Sequence, residues 1–362
     1  MDATETDVIA LLAADPLYQL STAGQELFHT NMLYWLIKTD PAAVGPLMRD
    51  VFRILPPQTD VYHLVVERER HHWDLFVDSG MGCGKLVLEN KLHSLPRTEQ
   101  LDDYYRNAPD PLRTDETTFA LLSLIRPTFS LPEPWRHVDY SELVAPLDAA
   151  AQILRDSGDS FGADLTQQYS HLVTLLVTVR DRYDVERHPA RTVRLPSAHV
   201  RALQDARLLP LVEKLQVSGL ADLIRARVGA DVGIGVGLSN THGMADFSAR
   251  GVSGHRFGWQ YQDGKLRLSV VLDDAVGGPW RNRRVDREVL VQNEFAEYFD
   301  FAAIPDVDDR LDPYSGRNLA WLGYEPDFVY RYRPIRPDTS FADLADMCAQ
   351  LTDHAMTFAA AH

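Results

Sequence analysis

The chain has 362 residues, of which 45% are hydrophobic and 24% are charged. These fractions are typical of soluble globular proteins, so they exclude a disordered, collagen-like or coiled-coil chain. The length predicts two domains, or one large domain with an appendage. The formal net charge of −16 argues against a uniformly basic nucleic-acid-binding surface. With only Cys83 and Cys348, no disulfide framework is expected, and the cytoplasm is the predicted compartment. The sequence predicts neither a membrane span nor a signal peptide, because long apolar runs and a basic start are absent.

The first half of the chain is predicted to alternate between helices and strands. In chain order we expect helices at 7–14, 22–39 and 42–55, strands at 61–68, 71–78 and 85–91, a helix at 96–106, strands at 119–125 and 135–140, and helices at 141–155 and 163–182. This order favours an α/β fold, with a mixed β-sheet flanked by helices. The apolar residues Trp73, Leu75 and Val77 are expected on one face of the second strand.

The second half is predicted to be a separate α+β region. Residues 186–196 are rich in Arg, Pro and His and are interpreted as the connection, which gives domains at 1–186 and 187–362. After it we expect a helix at 197–228, strands at 231–236 and 256–272 with a hairpin turn at Asp263–Gly264, and a terminal helix at 341–360. The glycines of 233–237 are interpreted as a strand, since no lysine and serine of a phosphate loop follow, and 239–247 as a polar loop.

The residues that carry chemistry are concentrated between 71 and 105. Asp74 lies on one strand of a predicted hairpin, while Glu89 and Lys91 lie on the other. Because side chains alternate along a strand, Glu89 and Lys91 share a face, and the hairpin brings Asp74 close to Glu89. A glutamate and a lysine at the end of an apolar strand are costly unless they are paired or bound to a metal. Their oxygens suit Mg²⁺ or Mn²⁺, and the neighbouring lysine suits a role beside a water or a phosphate.

Over roughly residues 20–180 the chain resembles the PD-(D/E)XK nuclease superfamily. The superfamily pattern is an acidic residue on one strand and an E-x-K triplet on the next, here Asp74 and Glu89–Asn90–Lys91. Gln100 and Tyr104 match the Q-x-x-x-Y helix of RecB-type members. Glu26, within ELFHTNMLYWL, is similar to a helix-borne glutamate of a bacterial, partly defence-associated subgroup. The chain departs from that subgroup at Trp73, where a basic residue is frequent.

The resemblance implies a restriction-endonuclease-like fold and a Mg²⁺-dependent nuclease, with Mn²⁺ as a substitute and DNA favoured over RNA as substrate. It implies that Asp74, Glu89, the carbonyl of Asn90, and Glu26 directly or through water ligate the metal. Lys91 would position the attacking water, and Glu26 would alternatively orient Lys91. Gln100 and Tyr104 would hold the scissile phosphate or brace the metal site. The C-terminal region would recognise substrate, a partner protein or a second copy in a homodimer, and defence against foreign DNA is the implied biological role.

The same residues also allow structural interpretations and other functions. The acidic–lysine cluster is also compatible with a cross-strand ion pair, and Gln100 and Tyr104 with a solvated helix face. An RNA- or tRNA-cleaving toxin on the same core and a noncatalytic binding module are the alternative functions. His29 with Asn31, and His93, are candidates to support the site, whereas His71 and His72 are interpreted as solvated. The basic run 280–287, with Trp259, Tyr261 and Trp280, is a candidate nucleic-acid groove, although such runs usually form a solvated face.

Overall fold

The computed structural model describes residues 3–22, 25–56, 64–80, 83–239, 242–273, 284–313, 321–324 and 327–362. The fold is mixed α/β, with two β-sheets. It divides into two compact units, the first comprising Met1–Arg182 and Ala198–Leu211, the second Tyr183–Ser197 and Val212–His362. The segment Ala198–Leu211, assigned from sequence to the second domain, therefore belongs to the first unit. In the described ranges no helix is both long and apolar enough to cross a membrane.

The first unit contains seven described α-helices and five strands. The helices are α1 (Ala3–Ala14), α2 (Pro16–Ser21), α3 (Gln25–Thr39), α4 (Thr98–Arg106), α5 (Val144–Asp156), α6 (Ser160–Tyr183) and α7 (Ser197–Asp205). The strands are β1 (Val65–Arg68), β2 (Leu75–Asp78), β3 (Lys85–Lys91), β4 (Thr117–Ser123) and β5 (Trp135–Asp139). They form one sheet in the order β1-β2-β3-β4-β5. The β1, β2 and β3 strands are antiparallel, whereas β3, β4 and β5 are parallel, so this sheet is mixed as predicted.

The two faces of the first sheet pack against different helices. On one face Phe76, Val87 and Phe119 join Leu101 of α4 in a buried cluster. On the other face lie Leu86, Leu88 and Asn90, since side chains alternate along β3. The α3 helix covers this second face, where Asn90 contacts it through hydrogen bonds. Glu89 follows Val87 by two residues and therefore emerges on the α4 face.

The second unit is built on an antiparallel sheet of six strands. Its strands are β6 (Gly235–Ser239), β7 (His242–Arg250), β8 (Arg256–Gln262), β9 (Lys265–Val271), β10 (Leu322–Tyr324) and β11 (Phe328–Pro334), and its helices are α8 (Leu209–Val228), which begins in the first unit, α9 (Arg284–Glu294) and α10 (Phe341–Ala361). The strand order is β10-β11-β9-β8-β7-β6. The core holds alternate residues of the central strands together with apolar residues of α8 and α10. One face of the sheet is therefore the buried face.

The strand predicted at 71–78 begins later than its sequence suggests. Residues Arg70–His72 form a 3-10 turn in which His71 and His72 have positive φ angles of 52° and 70°. The turn puts Trp73 out of phase with the strand, so it packs with Phe76 and not beside Leu75 and Val77. The predicted shared face of Trp73 is therefore wrong. The β3 prediction is confirmed at both ends.

Several predictions for the second unit need correction. The helix predicted at 197–228 is broken around Arg207, whose φ of 56° lies in the left-handed region. Residues 242–247 of the predicted loop 239–247 lie in β7, where the buried Gly243 and Ala245 alternate with the less buried Met244 and Asp246. By contrast, the hairpin turn at Asp263–Gly264 is confirmed, with both residues at positive φ.

Candidate active site

Glu89 and Lys91 form a buried ion pair at the end of β3. Lys91 Nζ lies 2.7 Å from Glu89 Oε1, and the two side chains are only 13% and 2% exposed. Both belong to the same face because they are two residues apart on one strand. Removing a pair of charged groups from water costs free energy. An exposed cross-strand ion pair would not carry this cost. The ion pair joins two residues of one central strand, and so differs from the cross-strand ion pair that the sequence left open.

Asp74 lies immediately before β2, opposite Glu89. The register pairs Leu75 with Leu88, so one residue further along places Asp74 across from Glu89 as expected. The backbone N–H of Asn90 donates to Asp74 Oδ2 at 2.7 Å. This bond fixes the Asp74 carboxylate against the strand that carries the other two charged residues.

Gln100 and Tyr104 face the acidic cluster from α4. Gln100 Nε2 donates to Glu89 Oε1 at 2.9 Å and to the Tyr104 hydroxyl at 2.8 Å. The i, i+4 spacing on α4 is what brings both side chains to the same side of the helix. The two residues are thus part of the cluster, and the interpretation as a solvated helix face is wrong. Their role toward a phosphate stays a prediction.

Asn90 connects the cluster to the opposite face of the sheet. Its side-chain amide donates to the Glu26 carbonyl at 3.2 Å and to Thr30 Oγ1 at 3.1 Å. The Tyr140 hydroxyl donates to Asn90 Oδ1 at 2.6 Å. Asn90 is fully buried, so these bonds tie α3 to β3 directly beneath the charged residues. The metal-ligating role predicted for its carbonyl remains a prediction.

Glu26 acts on the loop that follows β3. Its Oε1 accepts hydrogen bonds from the backbone N–H of His93 at 3.2 Å and of Ser94 at 2.7 Å, and from the Ser94 hydroxyl. The carboxylate therefore holds the chain just after Lys91. This contact suits the expectation that Glu26 orients Lys91 indirectly, while the expectation that it binds metal stays a prediction.

Replacing Glu26 with alanine is expected to destabilise the first unit by about 1–3 kcal/mol, because two part-buried N–H donors lose a charged acceptor. Glu26→Gln keeps an oxygen acceptor in the same place and should cost less. Urea unfolding monitored by tryptophan fluorescence measures both. Glu99→Ala, at an exposed position of α4, serves as the control. Equal midpoints for Glu26→Ala and the wild type would show that the loop does not depend on this carboxylate.

The proximity of the carboxylates and their burial change the proton affinities of the cluster. Burial raises the pKa of Glu89 to about 8, the charge of Asp74 adds to the rise, and Lys91 opposes it. Burial likewise raises the pKa of Asp74, against the effect of the Asn90 N–H. Burial by itself would lower the pKa of Lys91, but the Glu89 carboxylate outweighs it and the pKa rises. Near neutral pH the cluster therefore retains a proton that a bound cation would displace.

The donor atoms fit a cation that is held by few protein ligands. Glu89 Oε2 is buried and has no hydrogen-bond partner in the described part of the chain. With the Asp74 carboxylate nearby, it offers the hard oxygen ligands that Mg²⁺ prefers. In the same part of the chain, no three His, Cys, Asp or Glu side chains form a metal-binding group. Two carboxylates match Mg²⁺, which usually keeps several waters.

The remaining candidates from the sequence lie outside this cluster or at its margin. His29 is fully buried, and its Nδ1 lies 3.2 Å from the Tyr169 hydroxyl, so it is a structural residue of the core. Asn31 accepts a hydrogen bond from Arg68. His71 and His72 are exposed, as predicted. His93 lies in the loop held by Glu26, and its contact with a phosphate stays a prediction.

Two residues at the site carried no sequence signal. Ser94 contacts Glu26 across 68 positions of the chain, and Tyr140 contacts Asn90 across 50. Their neighbours in sequence show no pattern that points to the cluster. Only the topology of the sheet brings them to it.

Comparison of the chain with protein-family models, with curated proteins and with solved structures found no match. The arguments for function therefore rest on the site itself.

Proposed function

We propose that the chain is a divalent-metal-dependent nuclease that hydrolyses phosphodiester bonds, with DNA as the favoured substrate. In this proposal the first unit has a restriction-endonuclease-like fold. The observation that carries the proposal is the buried Glu89 carboxylate, which has Lys91 at 2.7 Å, Asp74 opposite and a second oxygen without a partner in the described residues. Burying a carboxylate in this way costs stability, and a catalytic role accounts for that cost.

The residues of the cluster divide into a cation-binding part and a positioning part. Asp74 and Glu89 would hold the cation through their carboxylates. A bound Mg²⁺ would stabilise the negative charge that develops on the phosphate and leaving-group oxygens. Lys91 is anchored by Glu89, so its ammonium group is placed to orient a water molecule toward a phosphate. Gln100 fixes the Glu89 carboxylate, and Asn90 fixes that of Asp74.

The order of the elements supports the same assignment. The antiparallel strands β2 and β3 carry the acidic residues, α4 follows with Gln100 and Tyr104, and β4 returns parallel to β3. This is the sequence of elements that the resemblance to PD-(D/E)XK nucleases implies. The two parts of that pattern, the acidic residues with the E-x-K triplet and the Q-x-x-x-Y helix, meet at one end of β3.

The test is a cleavage assay of the full chain with Mg²⁺ or with EDTA, on supercoiled plasmid, linear duplex, single-stranded DNA and RNA. We expect metal-dependent cleavage, with DNA preferred. Lys91→Ala should abolish it, whereas Lys85→Ala, at the opposite end of the same strand, should retain it. Cleavage of RNA alone would identify a ribonuclease. Absence of cleavage together with no Mg²⁺-induced rise in melting temperature would contradict the proposal.

A further inference from the structure

The sheet of the second unit has one face that its own core does not use. Apolar residues of β7, β8, β9 and β11 alternate into the buried cluster with α8 and α10. Trp259 and Tyr261 belong to this buried side, and the indole of Trp259 donates to Thr352 of α10 at 2.9 Å. Trp259 and Tyr261 therefore take no part in the candidate nucleic-acid groove. The basic run 280–287 lies outside the residues whose side chains the structure describes.

Three aromatic side chains form a row on the opposite face. Phe328, Tyr330 and Tyr332 occupy alternate positions of β11 and are half-buried. The ring centroids of Phe328 and Tyr330 are 5.6 Å apart, and those of Tyr330 and Tyr332 are 6.5 Å apart. These residues were not recognised from sequence, because β11 itself was not predicted. Rings spaced along one strand provide successive stacking positions for planar groups.

A guanidinium group lies beside the row. Arg267 pairs with Tyr332 across β9 and β11, and its Cζ lies 5.4 Å from the centroid of the Tyr330 ring. Its Nη1 donates to the side-chain oxygens of Gln260 and Gln262, the latter at 2.5 Å. Among the described residues it forms no ion pair with a carboxylate. Two amides thus hold a cation whose charge remains available to an anion.

The charge of this face is opposite to that of the chain as a whole. The strand register places on it the basic residues Arg250, Arg256, Lys265 and Arg267, with Asp246 as the acidic residue. Arg250 and Lys265 are already paired, with Asp273 and Asp263. Arg256 and Arg267 are thus the cations of this face without a carboxylate partner among the described residues, and they favour an anionic ligand.

We propose that Phe328, Tyr330, Tyr332 and Arg267 form a binding platform for single-stranded nucleic acid. Bases stack on the aromatic row, and a phosphate contacts Arg267. The bases of a duplex are already stacked on one another, so a flat sheet face cannot insert between them. The inference rests on the proposed function in one respect, because it takes nucleic acid as the substrate class. Binding is measured separately from cleavage.

The test is fluorescence anisotropy with a labelled oligothymidine, its oligouridine counterpart and a duplex of equal length. The full chain is titrated in EDTA, which prevents metal-dependent cleavage. We expect single strands to bind more tightly than the duplex. Tyr330→Ala should weaken binding about tenfold, and Tyr330→Phe, which retains the ring, should restore it. Arg201→Gln, at an exposed position of α7, is the charge-matched control and should bind as the wild type does.

The salt dependence separates the two kinds of contact. Arg267→Gln should reduce the slope of log affinity against log salt by about 0.7, the value for one phosphate contact with a single strand. Tyr330→Ala should leave that slope unchanged. Three results would each overturn the platform. They are wild-type affinity in both Tyr330→Ala and Arg267→Gln, binding of the duplex as tight as that of single strands, and no binding of any of these ligands. Binding without cleavage would instead contradict only the nuclease, and cleavage with unaffected variants only the platform.

Discussion

Replacing Glu89 with glutamine is expected to reduce metal-dependent cleavage by about a thousandfold, because a cation ligand worth several kcal/mol in the transition state is lost. The substitution keeps the size of the side chain and an oxygen that can accept from Gln100, so the fold should remain intact. The measurement is the cleavage rate at saturating Mg²⁺ for wild type and variant. The Mg²⁺-induced rise in melting temperature should be lost in parallel.

The control for this experiment is Glu99→Gln, which removes a carboxylate from an exposed position of α4 next to Gln100. It should cleave at the wild-type rate. A Glu89→Gln enzyme that retains most of its activity would show that this carboxylate does not take part in the chemistry. If the rate fell while the Mg²⁺-induced rise persisted, Glu89 would position other groups and not bind the cation.

The core of the candidate site could be predicted because its geometry is local. The period of two along a strand places Glu89 and Lys91 on one face, and a hairpin places Asp74 opposite. The i, i+4 spacing of Gln100 and Tyr104 is equally local. Each of these relations depends on residues within about one or two secondary-structure elements, so regular backbone geometry is sufficient to derive them.

The supporting contacts could not be predicted because they join distant parts of the chain. Glu26 reaches the loop after β3 across more than sixty residues, as its bond to Ser94 spans 68 positions. No pattern around Glu26 indicates that its carboxylate accepts from backbone N–H groups. Tyr140 is predicted at the end of a strand, but its bond to Asn90 depends on how the helices pack on the sheet.

In the second unit, residue types alone did not predict which side chains face the core. Trp259 and Tyr261 were candidates for a nucleic-acid groove, but side chains alternate along their strand and both of these face the core. A two-residue turn identified the β8–β9 hairpin, whereas β7 was obscured by small and polar residues. The pairing of β11 with β9, which builds the aromatic row, joins segments separated by about sixty residues. Sequence periodicity gives no information about such pairing.

The stability of the metal-free chain is expected to fall as the pH rises from about 6.5 to 8. Glu89 has an ordinary pKa of 4.5, which burial raises to about 8 in the folded state. Over this range the folded chain keeps the proton and the unfolded chain has lost it, so the slope of unfolding free energy against pH is negative. Integrating the two titrations gives a loss of about 1–2 kcal/mol between pH 6.5 and 8. Asp74, whose pKa burial also raises, acts in the same direction.

Other groups define where this fall can be observed. Burial lowers the pKa of His29 to about 3, so its neutral form stabilises the fold above pH 6.5, and this contribution is lost as the pH falls. Its slope opposes that of Glu89 below pH 6.5 and vanishes above it. Lys91 titrates above its ordinary value of 10.5, outside this range. Burial also lowers the pKa of His137 and His255, whose slopes likewise oppose that of Glu89 near pH 6.5, so the comparison with Glu89→Gln is what isolates the carboxylate.

Urea unfolding in EDTA at several pH values, for wild type and Glu89→Gln, measures the contribution of Glu89. As the pH rises, the unfolding free energy of the wild type should fall relative to that of Glu89→Gln, since glutamine has no proton to lose. Adding Mg²⁺ should reverse the trend for the wild type, because a cation binds the ionised carboxylate and its affinity grows with pH. A constant difference between pH 6.5 and 8 would mean that Glu89 is ionised throughout. The buried pair with Lys91 would then be held by its mutual attraction alone, and the cluster would have no proton for a cation to displace.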